Sequence, residues 1–274
     1  MHSSLSNMTA STSCRHHIDT DVFTYIRLPP TMPSNLRKFF LKPISSILKR
    51  FFILTSGGYS VGKAYGARFL FDWRHSLDKK VALELYEHDQ INYLLGELDR
   101  IKPDLFVDIG SHAALYSVVL KSRYPDLEVH AFEPDRTNLC QLYANLFVNG
   151  LTRDIHVHEF GLSDRTGHIA FDTSEATSSR GTRRIASTGN STIKIRRLDD
   201  VLHHNGHTVA VKIDVEGHEC QVVDGARTFL AANRCFLQVE SSAENRIPLT
   251  AQLEQLGYRH LATLSDHFFT NLPG

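Results

Sequence analysis

The chain has 274 residues, 42% of them hydrophobic and 22% charged, and its 30 basic residues balance 30 acidic ones. That length suits one large α/β domain with an extension, or two small domains, and the neutral balance leaves no electrostatic footprint for nucleic acid. Cys14, Cys140, Cys220 and Cys235 form no CxxC pair and the sixteen histidines no HExxH, which disfavours a disulfide scaffold, a cysteine zinc site and a zinc hydrolase and fits a reducing compartment.

Residues 1–33, rich in Ser, Thr, His and Pro, read as a poorly ordered tail without the apolar core of a signal peptide. No run reaches the roughly 18 apolar residues that span a bilayer, so the expected location is cytoplasmic. Over residues 34–54, Leu36, Phe40, Ile44, Ile47 and Phe51 recur at helical spacing with Lys38, Lys42 and Lys49 on another side. Such a basic amphipathic segment either packs its stripe on the main domain, the favoured reading, or makes peripheral contact with an anionic membrane. Pro43 predicts two short pieces, or a helix starting near it. Gly57 to Lys63 spell the GxxxxGK skeleton of a phosphate loop, but Ala64 stands where a magnesium-binding hydroxyl is required, and the strand-like run Arg68–Trp73 follows; a phosphate loop is rejected.

One helix is expected from residue 77, with Val81, Leu85, Ile91, Leu94, Leu95 and Leu98 as its apolar face and Pro103 beyond its end. Strands and helices then alternate, the signature of a parallel sheet with crossover helices. The expected strands are Leu105–Ile109, Glu128–Phe132, Ile155–Phe160, Val209–Val215 and Phe236–Val239. Helices are expected over 113–123 and 135–147, after the fourth strand to about Ala231, and over 248–256. Shorter strands are placed at His168–Asp172 and Ile193–Ile195, a helical turn at Leu198–Leu202, and closing strands near His260–Leu264 and His267–Thr270. Between them Thr173–Gly189, with six Ser/Thr in its first ten residues and then Arg180, Arg183 and Arg184, reads as a mobile loop.

Chemistry concentrates at the strand ends. Val209–Val215 is apolar enough to be buried on both faces, yet Asp214 and Glu216 close it. Carboxylates there face the crevice where open α/β sheets bind ligands; a helix cap plus a surface acid is the competing account. Asp108 and Gly110 form a strand-to-glycine turn, and Glu133 follows about 20 residues on, where a carboxylate can accept both ribose hydroxyls. Ser111–Ala114 completes no GxGxxG, which disfavours an NAD dehydrogenase. The order and spacing favour a nucleoside-containing cofactor.

Val107-Asp-Ile-Gly-Ser-His-Ala-Ala-Leu-Tyr-Ser117, Phe132-Glu-Pro134, Leu162-Ser-Asp164 with Gly167, Leu198-Asp-Asp200, Lys212-Ile-Asp-Val-Glu-Gly217 and Gly225-Ala226 occur in one order. Across roughly residues 75–242 the chain resembles the FkbM family of S-adenosylmethionine-dependent methyltransferases. The resemblance implies a Rossmann-like class I methyltransferase fold, a mostly parallel sheet with helices on both faces, in a domain over 75–274 after an N-terminal extension over 1–74. It implies O-methylation of a hydroxyl on a sugar, glycan or secondary metabolite. Asp108 and Gly110, with Ser111 and His112 of the same loop, would frame the methionine part of the cofactor. Glu133 would hold the ribose, Ser163 and Asp164 would lie near the adenine, and Asp214 would open onto the transferred methyl. The family usually has Gly-Ala-Asn, one residue, then Gly at the first loop; here His112 replaces the amide and Ala114 the glycine, tolerable if Ala114 keeps ordinary helical angles.

Glu216 and His218 are the candidates to take the acceptor's proton. Asp214, Glu216 and Glu240 equally offer oxygen ligands for magnesium, and the sequence leaves base and metal open. Lys212 either pairs with one of these acids or reaches the surface. Two other functions stay open: an inactive S-adenosylmethionine-binding module, and a membrane-surface accessory protein using residues 34–54.

Overall fold

The computed structural model describes residues 34–172, 184–185 and 191–273. The tail expected over 1–33 and most of the loop expected over 173–189 lie outside the described residues.

Helix α1 (Ser34–Ser56) runs unbroken through Pro43, contrary to the break expected there. Proline forgoes one i→i−4 bond, but packing outweighs that loss. Leu41, Leu48 and Phe52 are buried, and the Phe52 ring stacks on Trp73 at 5.0 Å. Strands β1 (Tyr59–Ala64) and β2 (Ala67–Asp72) form a hairpin. Lys63 therefore lies in a strand, not at a helix start. Asn145 and Asn149 fasten β2 to the domain: their side-chain carbonyls accept from Leu70 N at 2.8 Å and Arg68 N at 2.9 Å. One buried cluster continues from Leu48 through Trp73 to Phe268, so packing crosses the boundary expected between residues 74 and 75.

The single helix expected from residue 77 is two, α2 (Ser76–Ala82) and α3 (His88–Ile101). Glu84 and Glu87 take left-handed backbone angles between them, with φ of 52° and 49°. Hydrophobic periodicity is insensitive to this break because Val81, Ile91, Leu94 and Leu98 still share one buried side.

The central region alternates β3 (Leu105–Ile109), α4 (Leu115–Arg123), β4 (Glu128–Phe132), α5 (Arg136–Asn149) and β5 (Ile155–His158). Short strands β6 (Gly161–Leu162), β7 (Gly167–Asp172), β8 (Arg184–Ile185) and β9 (Ser191–Arg196) form a separate sheet in the order β6-β9-β7-β8. A 3-10 turn at Leu198–Asp200 leads to β10 (Thr208–Ile213), α6 (Glu219–Asp224), α7 (Arg227–Ala232), β11 (Arg234–Val239), α8 (Ala243–Gln255), β12 (Arg259–Thr263) and β13 (His267–Thr270). One helix was expected where α6 and α7 stand, and α8 starts five residues before its expected position, with the Ser242 hydroxyl accepting from Asn245 N at its N-cap.

The main sheet has the order β12-β13-β11-β10-β3-β4-β5, parallel except for the inverted β13. Side chains alternate faces along each strand. Phe106, Ala210 and Phe236 join α3, α4 and α5 on one side, while Val107, Val211 and Leu237 join α6, α7 and α8 on the other. From β3 the chain steps outward to β4 and β5, then returns across β3 to β10. That reversal places a crevice beyond the carboxyl ends of β3 and β10.

Candidate active site at the carboxyl ends of the central strands

The crevice is a cavity of about 190 Å³. Its wall includes Asp108, Gly110, Ser111, His112, Glu133, Asp214 and Glu216, so seven of the ten residues expected at the site converge there. The other three do not reach the lining. Ser163 is buried and its hydroxyl donates to Asp164 at 2.9 Å, so it accepts from His218 Nε2–H at 2.8 Å. His218 is thereby committed to Ser163 at the N-cap of α6, outside the cavity lining, and burial lowers its pKa.

The first loop is built from left-handed residues. Gly110 (φ 80°) brings its backbone against Asp214, and Gly110 N and Ser111 N both donate to Phe132 O at 3.0 Å. His112 (φ 48°) and Ala114 (φ 60°) adopt the same region, and Ala114 is fully buried. The ordinary helical angles expected for Ala114 are therefore not those it has, and α4 begins only at Leu115. This is the conformation a glycine adopts without cost, where an L residue is strained by about 1–2 kcal/mol.

Glu133 closes the far side. Its carboxylate accepts from His112 N at 2.9 Å and Asp135 N at 2.7 Å. Burial pushes its pKa up to about 7 against the pull of those two bonds. Beside it, Asn138 Oδ1 is buried and accepts no hydrogen bond among the described residues. Asp108 accepts from the Ser117 hydroxyl at 2.6 Å and from Ser117 N at 3.2 Å, and burial raises its pKa to about 6.

Strand register produces a feature that sequence reading misses. Asp108, Lys212 and Gln238 are cross-strand partners on β3, β10 and β11, and all three are buried on the α4 side of the sheet. Lys212 Nζ lies 2.6 Å from Asp214 Oδ2 and 4.0 Å from Glu87 Oε2, with the Tyr116 ring 4.8 Å away. Tyr116 OH donates to Glu87 at 2.6 Å, and Gln238 Nε2 donates to Tyr116 OH at 2.8 Å. Of the two outcomes open to Lys212, pairing is the one found. Burial alone would discharge the ammonium, but Asp214 and Glu87 hold its pKa well above the ordinary value. Burial likewise opposes ionisation of Asp214, and Lys212 reverses it, leaving Asp214 below its usual range. Glu240 takes the opposite state: burial and the neighbouring Asp214 charge raise its pKa to about 9, and the two share a hydrogen bond. Glu87, from the junction of α2 and α3, carried no sequence signal. The potential oxygen ligands that cluster are Glu87, Asp214 and Glu240, within 4.8 Å of one another, rather than the trio with Glu216.

Among the described residues the lining thus carries seven carboxyl side chains, Asp78, Glu87, Asp108, Glu133, Asp214, Glu216 and Glu240, against Lys212 and no arginine. With a single ammonium already paired to Asp214, the described lining offers a polyphosphate no free cation, whereas its carboxyl groups can accept a nucleoside bearing a cationic centre. Glu133 and the Asn138 carbonyl supply buried acceptors for a pair of hydroxyl donors, so the residues present fit such a ligand.

A mostly parallel seven-stranded sheet with its crevice at this reversal defines a Rossmann-like methyltransferase fold. Residues 108–260 match the family model described as the methyltransferase FkbM domain, more than half of the chain. The chain belongs to that family. It is 30% identical over 142 residues to the hexuronic acid methyltransferase AglP of Haloferax volcanii, covering 51% of this chain and 56% of the relative. The chain thus spans little more than half the length of that curated protein. Among solved structures, the methyltransferase FkbM of Methylobacillus flagellatus KT is similar at 17% identity and a TM-score of 0.45, over 72% of this chain and 56% of that one. The precorrin-6y C5,15-methyltransferase of Geobacter metallireducens GS-15 is similar at 16% identity and a TM-score of 0.43, over 67% and 85%.

Proposed function

We propose that the protein transfers a methyl group from S-adenosylmethionine to a hydroxyl of a sugar, glycan or hydroxylated metabolite. The observation that carries this reading is the meeting of the Gly110 loop, Glu133 and the Lys212–Asp214 pair in one carboxylate-lined cavity. Similarity to a hexuronic acid methyltransferase supports a sugar-like acceptor. S-adenosylmethionine, when bound, supplies an electrophilic methyl on a sulfonium. In this reading the Ser111–Ala113 loop and Asp108 border its methionine end, and Glu133 with Asn138 receives the ribose hydroxyls. Because displacement at a methyl is in line, positioning does most of the work. Asp214, kept ionised by Lys212, orients the acceptor hydroxyl; Asp214 and Glu216 are the carboxylates placed to take its proton. His218 is not assigned that task, since its Nε2–H is given to Ser163.

Calorimetry with S-adenosylmethionine and its demethylated product, followed by methyl transfer to a panel of glycans and hydroxylated metabolites, tests the proposal. Binding with turnover is the expected result; binding without turnover on any acceptor identifies an inactive binding module, and no binding rejects the cofactor.

The cofactor affinity should also depend on pH. The Glu133 pKa is raised from 4.5 to about 7, so its protonated form is favoured in the fold, and that stabilisation is lost as pH rises through about 7. Ribose hydroxyls donate best to the ionised form. Affinity should therefore climb between about pH 6 and pH 8, and Glu133→Gln should flatten that limb while leaving the contribution of Asp108 near pH 6. A Glu133→Gln profile superimposable on the parent would remove Glu133 from the ribose site.

A second feature favours contact with an anionic membrane. On α1, Ile47 and Leu54 are 67% and 85% exposed and Phe51 is 51% exposed, beside Lys49 and Arg50. No helix among the described residues is long and apolar enough to cross a membrane. A peripheral attachment predicts co-flotation with anionic vesicles that falls at high salt and is lost in Phe51→Asp/Leu54→Asp. Equal recovery with neutral and anionic vesicles would oppose it.

A further inference from the structure

On the face of the sheet opposite Lys212, at the outer strands, lies a histidine cluster that methyl transfer does not use. Alternation along β4 puts Glu128 and His130 on the same side as Phe132, and β5 adds His156 and His158. His204 descends on them from the segment after the 3-10 turn. Ligand atoms of Glu128, His130 and His156 lie within 4.8 Å of one another. Glu128 Oε1 receives His130 Nε2 at 2.8 Å and His204 Nε2 at 3.3 Å. The His130 and His156 rings stack at 4.6 Å.

An ionised carboxylate can only accept, so His130 donates from Nε2 and must accept at Nδ1, 2.9 Å from His158 Nε2. The His130 hydrogen bond and the His204 Nε2 contact thus bring two imidazole nitrogens to one carboxylate oxygen, where a divalent cation could sit between them. His204 Nδ1 is buried without a hydrogen-bond partner among the described residues, so the His204 contact with Glu128 is not held in place by a second bond. Accepting at Nδ1 while donating from Nε2 requires a neutral His130, the state in which imidazole binds metal. His156 is exposed, which leaves an entry path.

We propose that Glu128, His130 and His156 bind a divalent transition ion of the zinc type, with His204 as fourth ligand and His158 supporting His130 from behind. Two or three imidazoles and one carboxylate suit tetrahedral zinc. On binding through His130 Nε2, the His130 proton moves to Nδ1 and donates to His158 Nε2, whose own proton moves to Nδ1; no net proton is lost from this pair. Such a hydrogen bond behind a ligating imidazole is the usual supporting arrangement. The ion would join β4, the edge strand β5 and the segment carrying His204, away from the methyl-transfer cavity.

The test uses the full chain without an affinity tag, stripped with a chelator. Zinc is titrated by calorimetry, cobalt(II) by visible absorption, and the zinc-loaded protein is measured by X-ray absorption. One saturable site with tetrahedral cobalt bands and imidazole scattering is expected. His156→Ala and Glu128→Gln, both accessible to solvent, should each lower affinity at least about tenfold, the lower end of what even a supporting residue contributes, while cofactor binding persists. No saturable zinc binding would overturn the proposal and leave a hydrogen-bonded imidazole stack. So would zinc binding that survives both substitutions but disappears in Asp214→Asn, or an all-oxygen coordination shell, since either would place the ion in the methyl-transfer cavity.

Discussion

Asp214→Asn should reduce kcat/KM for methyl transfer by at least about 100-fold and lower the melting temperature by roughly 10 °C. Its carboxylate is the near partner of Lys212, whose side chain is only 4% exposed, and the next carboxylate, Glu87, stands 4.0 Å from the ammonium. Removing one member of a buried ion pair costs on the order of 3–5 kcal/mol because the other charge is left uncompensated, and in a domain of this size each kcal/mol shifts melting by about 2–4 °C. The two effects have different origins, and a second substitution separates them. Lys212→Met in the Asp214→Asn background removes the stranded charge, so melting temperature should largely recover while turnover should not. Recovery of both would make Asp214 a counter-ion alone, and parent-like turnover in Asp214→Asn would reject the site. Glu240 tracks the same change: its raised pKa owes part of its shift to the Asp214 charge and should fall in Asp214→Asn, measurable by carboxyl NMR.

Gly110→Ala should leave little or no folded protein, a loss beyond about 4 kcal/mol. A Cβ built there meets Asp214 O at 1.8 Å, and the obstacle is backbone of the adjoining strand end, not a side chain that can turn away. The φ of 80° adds the strain of a left-handed alanine, about 1–2 kcal/mol. Gly66 shares that backbone region, with φ of 84°, but has nothing within 4 Å. Gly66→Ala should therefore cost only the conformational part. Gly225 is the converse: its backbone angles are ordinary, but a Cβ would meet Ser163 O at 1.9 Å, so Gly225→Ala should be severe for steric reasons alone. Denaturant unfolding of the three variants distinguishes the contributions. Equal, mild losses at all three would show that the β3–β10 contact can relax, and the close approach would not be what places Asp214 beside the first loop.

The parallel framework was readable because each central strand is a short apolar run followed by a helix with a turn signal between them. Leu105–Ile109 and Glu128–Phe132 fall where expected, and Val209–Val215 shortens only to Thr208–Ile213. Seven of ten proposed site residues meet in one cavity for the same reason: strand ends in a parallel sheet point one way. Errors arise where local pattern and tertiary packing disagree. Pro43 reads as a break, yet the buried side chains of α1 carry the helix through it. The split between α2 and α3 is invisible to periodicity, and it is what swings Glu87 toward Lys212. His218 follows the strand end in sequence, but the turn at Glu216 and Gly217, both left-handed, directs it to Ser163.

By itself, then, the sequence determined the strand and helix succession, the acidic strand ends and the family pattern, because these depend on period, turn chemistry and short motifs within one segment. Tertiary structure alone decided that Asp108, Lys212 and Gln238 form a buried row, that Glu87 and Tyr116 complete it, and that Glu128, His130, His156 and His204 gather on the other face. Those outcomes depend on register between strands and on where connecting segments return. A shift of one residue would send each side chain to the opposite face of the sheet.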